Sequence, residues 1–198
     1  NEETPLMWAV FEGNIDIAKL LIQEGADLNM KDINGMTALM HAAFLNRTYL
    51  AYVLIGEGVN LDIKENHGLT ALMYAAQVNS KDIAMSLIGN GADLNVKATD
   101  DQSSALTLAV SEGNIDIVRF LIEKGADLKI KGSEGWTALM FAAWWNRTNV
   151  AELLIDAGVD LNIKNEWGRN ALIAAACKGN TDIVKLLIEK GADQNARD

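Results

Sequence analysis

Apolar positions recur along this chain on a 33-residue rhythm. Thr4, Thr37, Thr70, Ser104, Thr137 and Asn170 open matching segments at spacings of 33, 33, 34, 33 and 33. Each is followed two residues later by Leu6, Leu39, Leu72, Leu106, Leu139 or Leu172, and five later by Ala9, Ala42, Ala75, Ala109, Ala142 or Ala175. Within a segment the apolar period changes twice. The run Ala38-Leu39-Met40-His41-Ala42-Ala43 predicts a short helix. Ile17 with Leu20 and Leu21, or Ile183 with Leu186 and Leu187, follows the i, i+3, i+4 spacing of a second, amphipathic helix. A stretch such as Leu28-Asn29-Met30-Lys31 then reads as extended, and Asp32-Ile33-Asn34-Gly35 as a turn. Each unit is therefore helix, tight turn, helix, extended finger. One unit alone cannot cover its apolar face, so fixed self-similarity at this period predicts a stack of units.

Polar residues punctuate the rhythm where backbone physics requires them. The six opening residues are Ser, Thr or Asn, whose side-chain oxygens cap the free N–H groups of a helical first turn. Between the two helices stand Gly13, Asn46, Asn79, Gly113, Asn146 and Gly179, the residue types that most readily accept positive φ. Gly25, Gly58, Gly91, Gly125, Gly158 and Gly191 are placed to end the second helices in the left-handed region.

These residues resemble the ankyrin repeat. Its T-P-L-H-x-A entry appears as Thr4-Pro5-Leu6-Met7-Trp8-Ala9, and its G-A-D-V-N close as Gly25-Ala26-Asp27-Leu28-Asn29 and Gly91-Ala92-Asp93-Leu94-Asn95. Later copies read Thr37-Ala38-Leu39-Met40 and Thr137-Ala138-Leu139-Met140, an Ala-Leu-Met wording that leans toward a bacterial style. The resemblance implies an all-α solenoid of helix-turn-helix units with extended fingers. It implies a slightly curved stack whose concave face is lined by fingers and first helices. One ankyrin repeat domain is expected over 1–198, with repeats at about 4–36, 37–69, 70–103, 104–136, 137–169 and 170–198.

A 100-residue period lies over the shorter one. Glu12-Gly13-Asn14-Ile15-Asp16-Ile17 returns as Glu112-Gly113-Asn114-Ile115-Asp116-Ile117, and Asn46-Arg47-Thr48 as Asn146-Arg147-Thr148. Residues 1–98 and 99–198 thus read as a duplicated block of three repeats. The junction at 98–103 is one residue longer than its counterparts and lacks their turn glycine; a duplication scar is favoured over a functional loop or a kink in the superhelix. In the last repeat Asp193-Gln194-Asn195-Ala196 replaces the usual apolar close, as suits a terminal edge. Thr4 has no finger before it, and a truncation or a leader is expected there.

Composition narrows the partners. The formal net charge of −10 opposes generic binding to nucleic acid or anionic membranes. No run of 18 apolar residues exists, so membrane insertion is not expected. Cys177 is the only cysteine, which excludes an internal disulfide. Localisation is left unassigned, with the cytoplasm favoured over secretion or the periplasm. His41 and His67 are the only histidines, too few for a His/Cys metal cluster. No metalloprotease, phosphate-loop or nucleophile-elbow motif occurs. Neither an enzyme nor a cofactor is expected.

Binding signals are stronger. Four of the five tryptophans, Trp136, Trp144, Trp145 and Trp167, lie between 136 and 167. By the ankyrin resemblance they converge on the concave side. Repeats elsewhere hold Phe11-Glu12, Phe44-Leu45, Gln77-Val78, Ser111-Glu112 or Cys177-Lys178 at the Trp144-Trp145 position, so the stack does not require those rings. A partner-binding patch is favoured over rings that only pack on one another. Met36, Phe44 and Leu45 form a milder equivalent in the second repeat, with Gln77 and Arg169 as further variable positions. A narrower version makes the four tryptophans, with Glu134 and Glu166, a cage for a methylated ammonium. Lys31, Lys64, Lys97, Lys131, Lys164 and Arg197 place one basic residue on every finger. Lys131 and Lys164 are candidates for steering a partner, although a structural use of the stripe is the stronger expectation. The asparagines of the two Asn-Arg-Thr triplets are explained by the helix turn rather than by glycosylation. Met7, Met40, Met73 and Met140 read as core filler. The leading function is a monomeric, non-catalytic module that binds a protein or peptide. The competing classes are a structural spacer or oligomerisation element, and the ankyrin segment of a larger effector or regulated protein.

Overall fold

The computed structural model describes residues 2–198. Among them twelve α-helices are the regular elements, joined by turns, a short 3-10 turn at Ser133–Gly135 and one isolated antiparallel bridge between Lys131 and Thr137. The chain divides into two compact units, Asn1–Asp100 and Asp101–Asp198, and the division falls inside the 98–103 junction. The first unit holds α1 (Pro5–Glu12), α2 (Ile15–Gln23), α3 (Ala38–Phe44), α4 (Thr48–Gly56), α5 (Ala71–Gln77) and α6 (Lys81–Gly89). The second holds α7 (Ala105–Glu112), α8 (Ile115–Glu123), α9 (Ala138–Trp144), α10 (Thr148–Asp156), α11 (Ala171–Lys178) and α12 (Thr181–Glu189). In each unit the odd-numbered helices pack on one another in sequence, and so do the even-numbered helices, each also packed on the odd helix before it.

None of these helices exceeds nine residues. Helices this short are unstable alone in water, so caps and packing must hold them. Every odd helix starts at a Thr, Ser or Asn whose side chain accepts the N–H three residues on: Met7, Met40, Met73, Thr107, Met140 and Ile173. Two of the methionines do more than fill the core. The Met7 and Met40 sulfurs each accept the N–H of their own capping threonine at 3.4 Å, closing a reciprocal capping box with a thioether. Asn46, Asn79 and Asn146 take φ of 53°, 58° and 55° at the turn between helices, as the sequence pattern requires. The alanines five residues after each cap are buried and let neighbouring first helices approach closely, while Leu54, Leu87, Leu121, Leu154 and Leu187 fill the layer behind them. Burying each such leucine stabilises the stack by roughly 1.5–3 kcal/mol.

Polar ties also join successive repeats. The residues before α4, α6, α10 and α12 do not cap their own helix; they reach back to the open carbonyl end of the first helix one repeat earlier. Arg47 donates from Nη2 to the Phe11 carbonyl at 2.8 Å, Ser80 from Oγ to Ala43 at 3.0 Å, Arg147 from Nε to Ser111 at 2.9 Å, and Asn180 from Nδ2 to Ala143 at 2.7 Å. Three of the fingers are folded by a buried side chain. Asp32 Oδ1 accepts from the Asn34 and Met36 N–H groups, Glu65 Oε1 from His67 and Leu69, and Asn165 Oδ1 from Trp167 and Arg169. The fingers are stapled tip to tip, Asn66 N–H to the Asn34 carbonyl at 3.0 Å and Glu166 N–H to Glu134 at 2.9 Å.

Candidate functional site

The second unit builds an aromatic hollow from its fingers and first helices. Trp136 lies at the end of one finger, where the buried N-cap Thr137 fixes the entry into α9. Phe141 and Trp144 follow on α9 and Trp145 ends it, while Trp167 and Arg169 stand on the next finger, held by Asn165. The Trp136 ring is 5.3 Å from Phe141, 5.3 Å from Trp144 at an interplanar angle of 87°, and 6.5 Å from Trp167 at 83°. Edge-to-face pairs at these separations are the favoured aromatic geometry. Together with Trp145, Arg169 and Glu134 these rings line a hollow of about 400 Å³.

Burial within the cluster is uneven. Trp136 is only 8% exposed, whereas Trp145 is 52% and Trp167 47% exposed, and Trp144 is half-buried. Trp136 is thus the floor on which the others rest, and Trp145 and Trp167 carry most of the accessible ring surface. Two cations of the same unit lie on ring faces: Lys178 Nζ is 4.0 Å from the Trp144 centroid and Arg169 Cζ 5.7 Å from that of Trp167. A second hollow of about 330 Å³ adjoins the first and shares Ser133, Phe141 and Trp145 with it, its far wall including Asp101, Glu112 and Arg147. Trp145 therefore stands between two depressions.

The finger cations play another part. Lys31 donates from Nζ to the Lys64 carbonyl at 2.8 Å, Lys64 to Lys97 at 3.4 Å, Lys131 to Lys164 at 3.3 Å and Lys164 to Arg197 at 2.6 Å. Each ammonium is spent on the next finger. Lys131 lines a different, apolar hollow of about 530 Å³ with Leu128, Thr137, Leu139 and Val159. Neither Lys131 nor Lys164 lines the aromatic hollow.

The family model for ankyrin repeats (3 copies) matches residues 6–98, 87–165 and 133–198. The chain belongs to the ankyrin repeat family. Ankyrin repeats are generally protein–protein interaction modules, and their fold is typically non-catalytic. Similar solved structures include a chain from the complex of the predatory endopeptidase Bd0816 from Bdellovibrio bacteriovorus with the immunity protein Bd3460. That chain is 32% identical with a TM-score of 0.87, over 96% of this chain and 100% of that one. An ankyrin repeat domain from Acinetobacter baumannii is 29% identical with a TM-score of 0.88, over 96% and 98%. The human ASB11 ankyrin repeat domain shares the fold at 24% identity and a TM-score of 0.89, over 99% and 87%. None of the curated proteins compared with this chain matches it.

In the first unit of this ankyrin array the candidates are looser. Phe44 is exposed and meets Tyr74 edge-on at 5.8 Å, while Met36 and Leu45 are half-buried and Gln77 is exposed. Tyr74 is pushed up to about 12, by burial first and then by the Glu65 and Asp32 carboxylates. The His41 Nε2 lies 3.1 Å from Asp32 Oδ2. Sequence reasoning passed over Trp8 and Phe11, an exposed edge-on pair with centroids 5.8 Å apart. The signal was present: Phe11 aligns with Phe44 and Trp144, and Trp8 lies three residues before it. Among the described residues no group of three His, Cys, Asp or Glu is placed to hold a metal, and no helix is long and apolar enough to cross a membrane.

Proposed function

We infer that the chain is a non-catalytic recognition module that holds a protein or peptide on the face formed by its fingers and first helices. The single observation that carries this reading is the aromatic hollow of the second unit. Trp145 and Trp167 are half exposed there on a floor of mutually packed rings. Exposed indoles held rigid in this way supply contact area at little ordering cost, as binding hot spots do. In the first unit Met36, Phe44, Leu45 and Gln77 offer a contact surface of their own. The methyl-ammonium cage is less favoured, because the chain's own Lys178 and Arg169 already lie on the Trp144 and Trp167 faces. The likeness to a chain of the endopeptidase–immunity protein complex makes a folded protein the first partner class to try. The test is affinity capture from source-cell extract with the wild type and a Trp144→Ala/Trp145→Ala variant. A partner lost only by the variant supports the reading, and equal capture by both sinks it.

A second reading, self-association, has its own observation. Ile17 is 52% and Leu20 56% exposed on α2, although Leu50, Ile83, Ile117, Val150 and Ile183 at the position of Ile17 are buried. Light scattering across a concentration series, with Ile17→Asp alongside, decides it: a mass that rises for the wild type alone supports self-association.

A further inference from the structure

The geometry points to an acidic segment as the occupant of the aromatic hollow. An extended stretch of a partner protein seats one large apolar side chain against Trp145 and the Trp136 floor and places a carboxylate on Arg169. This rests on the protein-binding reading above and adds the chemistry of the partner.

Arg169 carries the argument. Its backbone N–H is fixed by Asn165 Oδ1 at 2.9 Å and its guanidinium lies 5.7 Å from the Trp167 ring centre, so it is held at the hollow. Its Nε is buried and has no hydrogen-bond acceptor. The one carboxylate in ion-pair range, Asp198 Oδ2, stands at 3.5 Å from Nε without making a hydrogen bond, and the Asp198 side chain is exposed. A buried guanidinium N–H without an acceptor is a costly state that an incoming carboxylate relieves. The planar fork suits a bidentate carboxylate, which takes the place of Asp198 at the guanidinium.

The chain carries −10 overall, yet Arg169 and Lys178 over Trp144 flank the hollow, against Glu134 on its lining and an exposed Asp198 beside Arg169 that a partner carboxylate replaces. A cationic segment would have to displace both of those cations from the ring faces it needs. A nucleic acid would meet the acidic remainder of the surface. A hollow of about 400 Å³ has room for one large side chain with its backbone.

The experiment pans a random twelve-residue peptide library against the intact chain and measures the enriched peptides by calorimetry. The expected consensus sets Asp or Glu within a few residues of a large apolar side chain. Changing that acid to its amide in the peptide weakens binding about tenfold, the equivalent of one charge-assisted hydrogen bond. Arg169→Gln loses the same preference, and because the peptide-side change leaves the protein untouched, a folding defect in the variant does not obscure the result. Peptides that bind the wild type and fail on Trp145→Ala, but bind equally as acid or amide, overturn the acidic-segment inference and keep the recognition reading. Peptides that bind Trp145→Ala as tightly as the wild type overturn both, and so does a library that enriches nothing.

Discussion

Residue positions that look equivalent in the repeat differ sharply in what they support. Leu87 is fully buried, so Leu87→Ala leaves a cavity and is expected to cost about 2–5 kcal/mol in urea unfolding. Ile17→Ala, at an exposed site of the same apolar pattern, is expected within about 0.5 kcal/mol of the wild type. Glycines divide in the same way. A Cβ on Gly68 would lie 2.6 Å from the Thr99 backbone nitrogen, whereas one on Gly25 meets nothing within 4 Å; both have positive φ. Gly68→Ala should therefore lower the urea midpoint well beyond Gly25→Ala. Tyr74 titrates at about 12 because burial and the Glu65 and Asp32 carboxylates favour its neutral form. The folded state then holds this proton more tightly than the unfolded one. Its contribution is complete below the unfolded value near 10 and is lost as pH rises through about 12. Alkaline unfolding of Tyr74→Phe should lack that component. The caps, turns and buried leucines were legible in the sequence because each follows from backbone or burial physics that acts within one repeat. The burial of Trp136 was not: its ring turns under Trp144 and Trp167, and that choice depends on side chains from two repeats.

Elements hold together through groups whose sequence pattern pointed elsewhere. The Asn-Arg-Thr triplets were explained by their asparagine, but the structural tie is the arginine, which closes the carbonyl end of the helix one repeat earlier. Arg47, Ser80, Arg147 and Asn180 share that task with four different reaches, so no fixed residue type marks it. Ser80→Ala is expected to cost about 1–3 kcal/mol in urea unfolding, since Ser80 is buried and its hydroxyl donates to the Ala43 carbonyl. His67 links two finger tips through Asp100 at 2.6 Å, and that hydrogen bond, then the charge of Asp100, then that of Glu65, raises its pKa above the usual 6.5. A raised value means the link is complete below about 6.5 and is lost as pH climbs through the folded value. The His67 ring signals in an NMR titration should move to lower pH in Asp100→Asn; an unchanged midpoint would discard the pairing.

At the scale of the whole chain, charge is the property that composition predicted best and position refined most. The acidic total remains, but cations sit where ring faces are exposed, and the regular lysine stripe is consumed by the fingers themselves. Lys31, Lys64, Lys131 and Lys164 each bond a carbonyl one repeat on, a relation visible only once the repeats are stacked.

The crowding of indoles into one half of the chain has an optical consequence. Of the five tryptophans, only Trp8 belongs to the first unit, so ultraviolet emission is largely a report on residues 101–198. Helical ellipticity draws on all twelve helices. Replacing Trp8 with Phe makes the emission a gauge of one half alone, and a denaturation followed by both signals then reads out the order in which the two halves come apart.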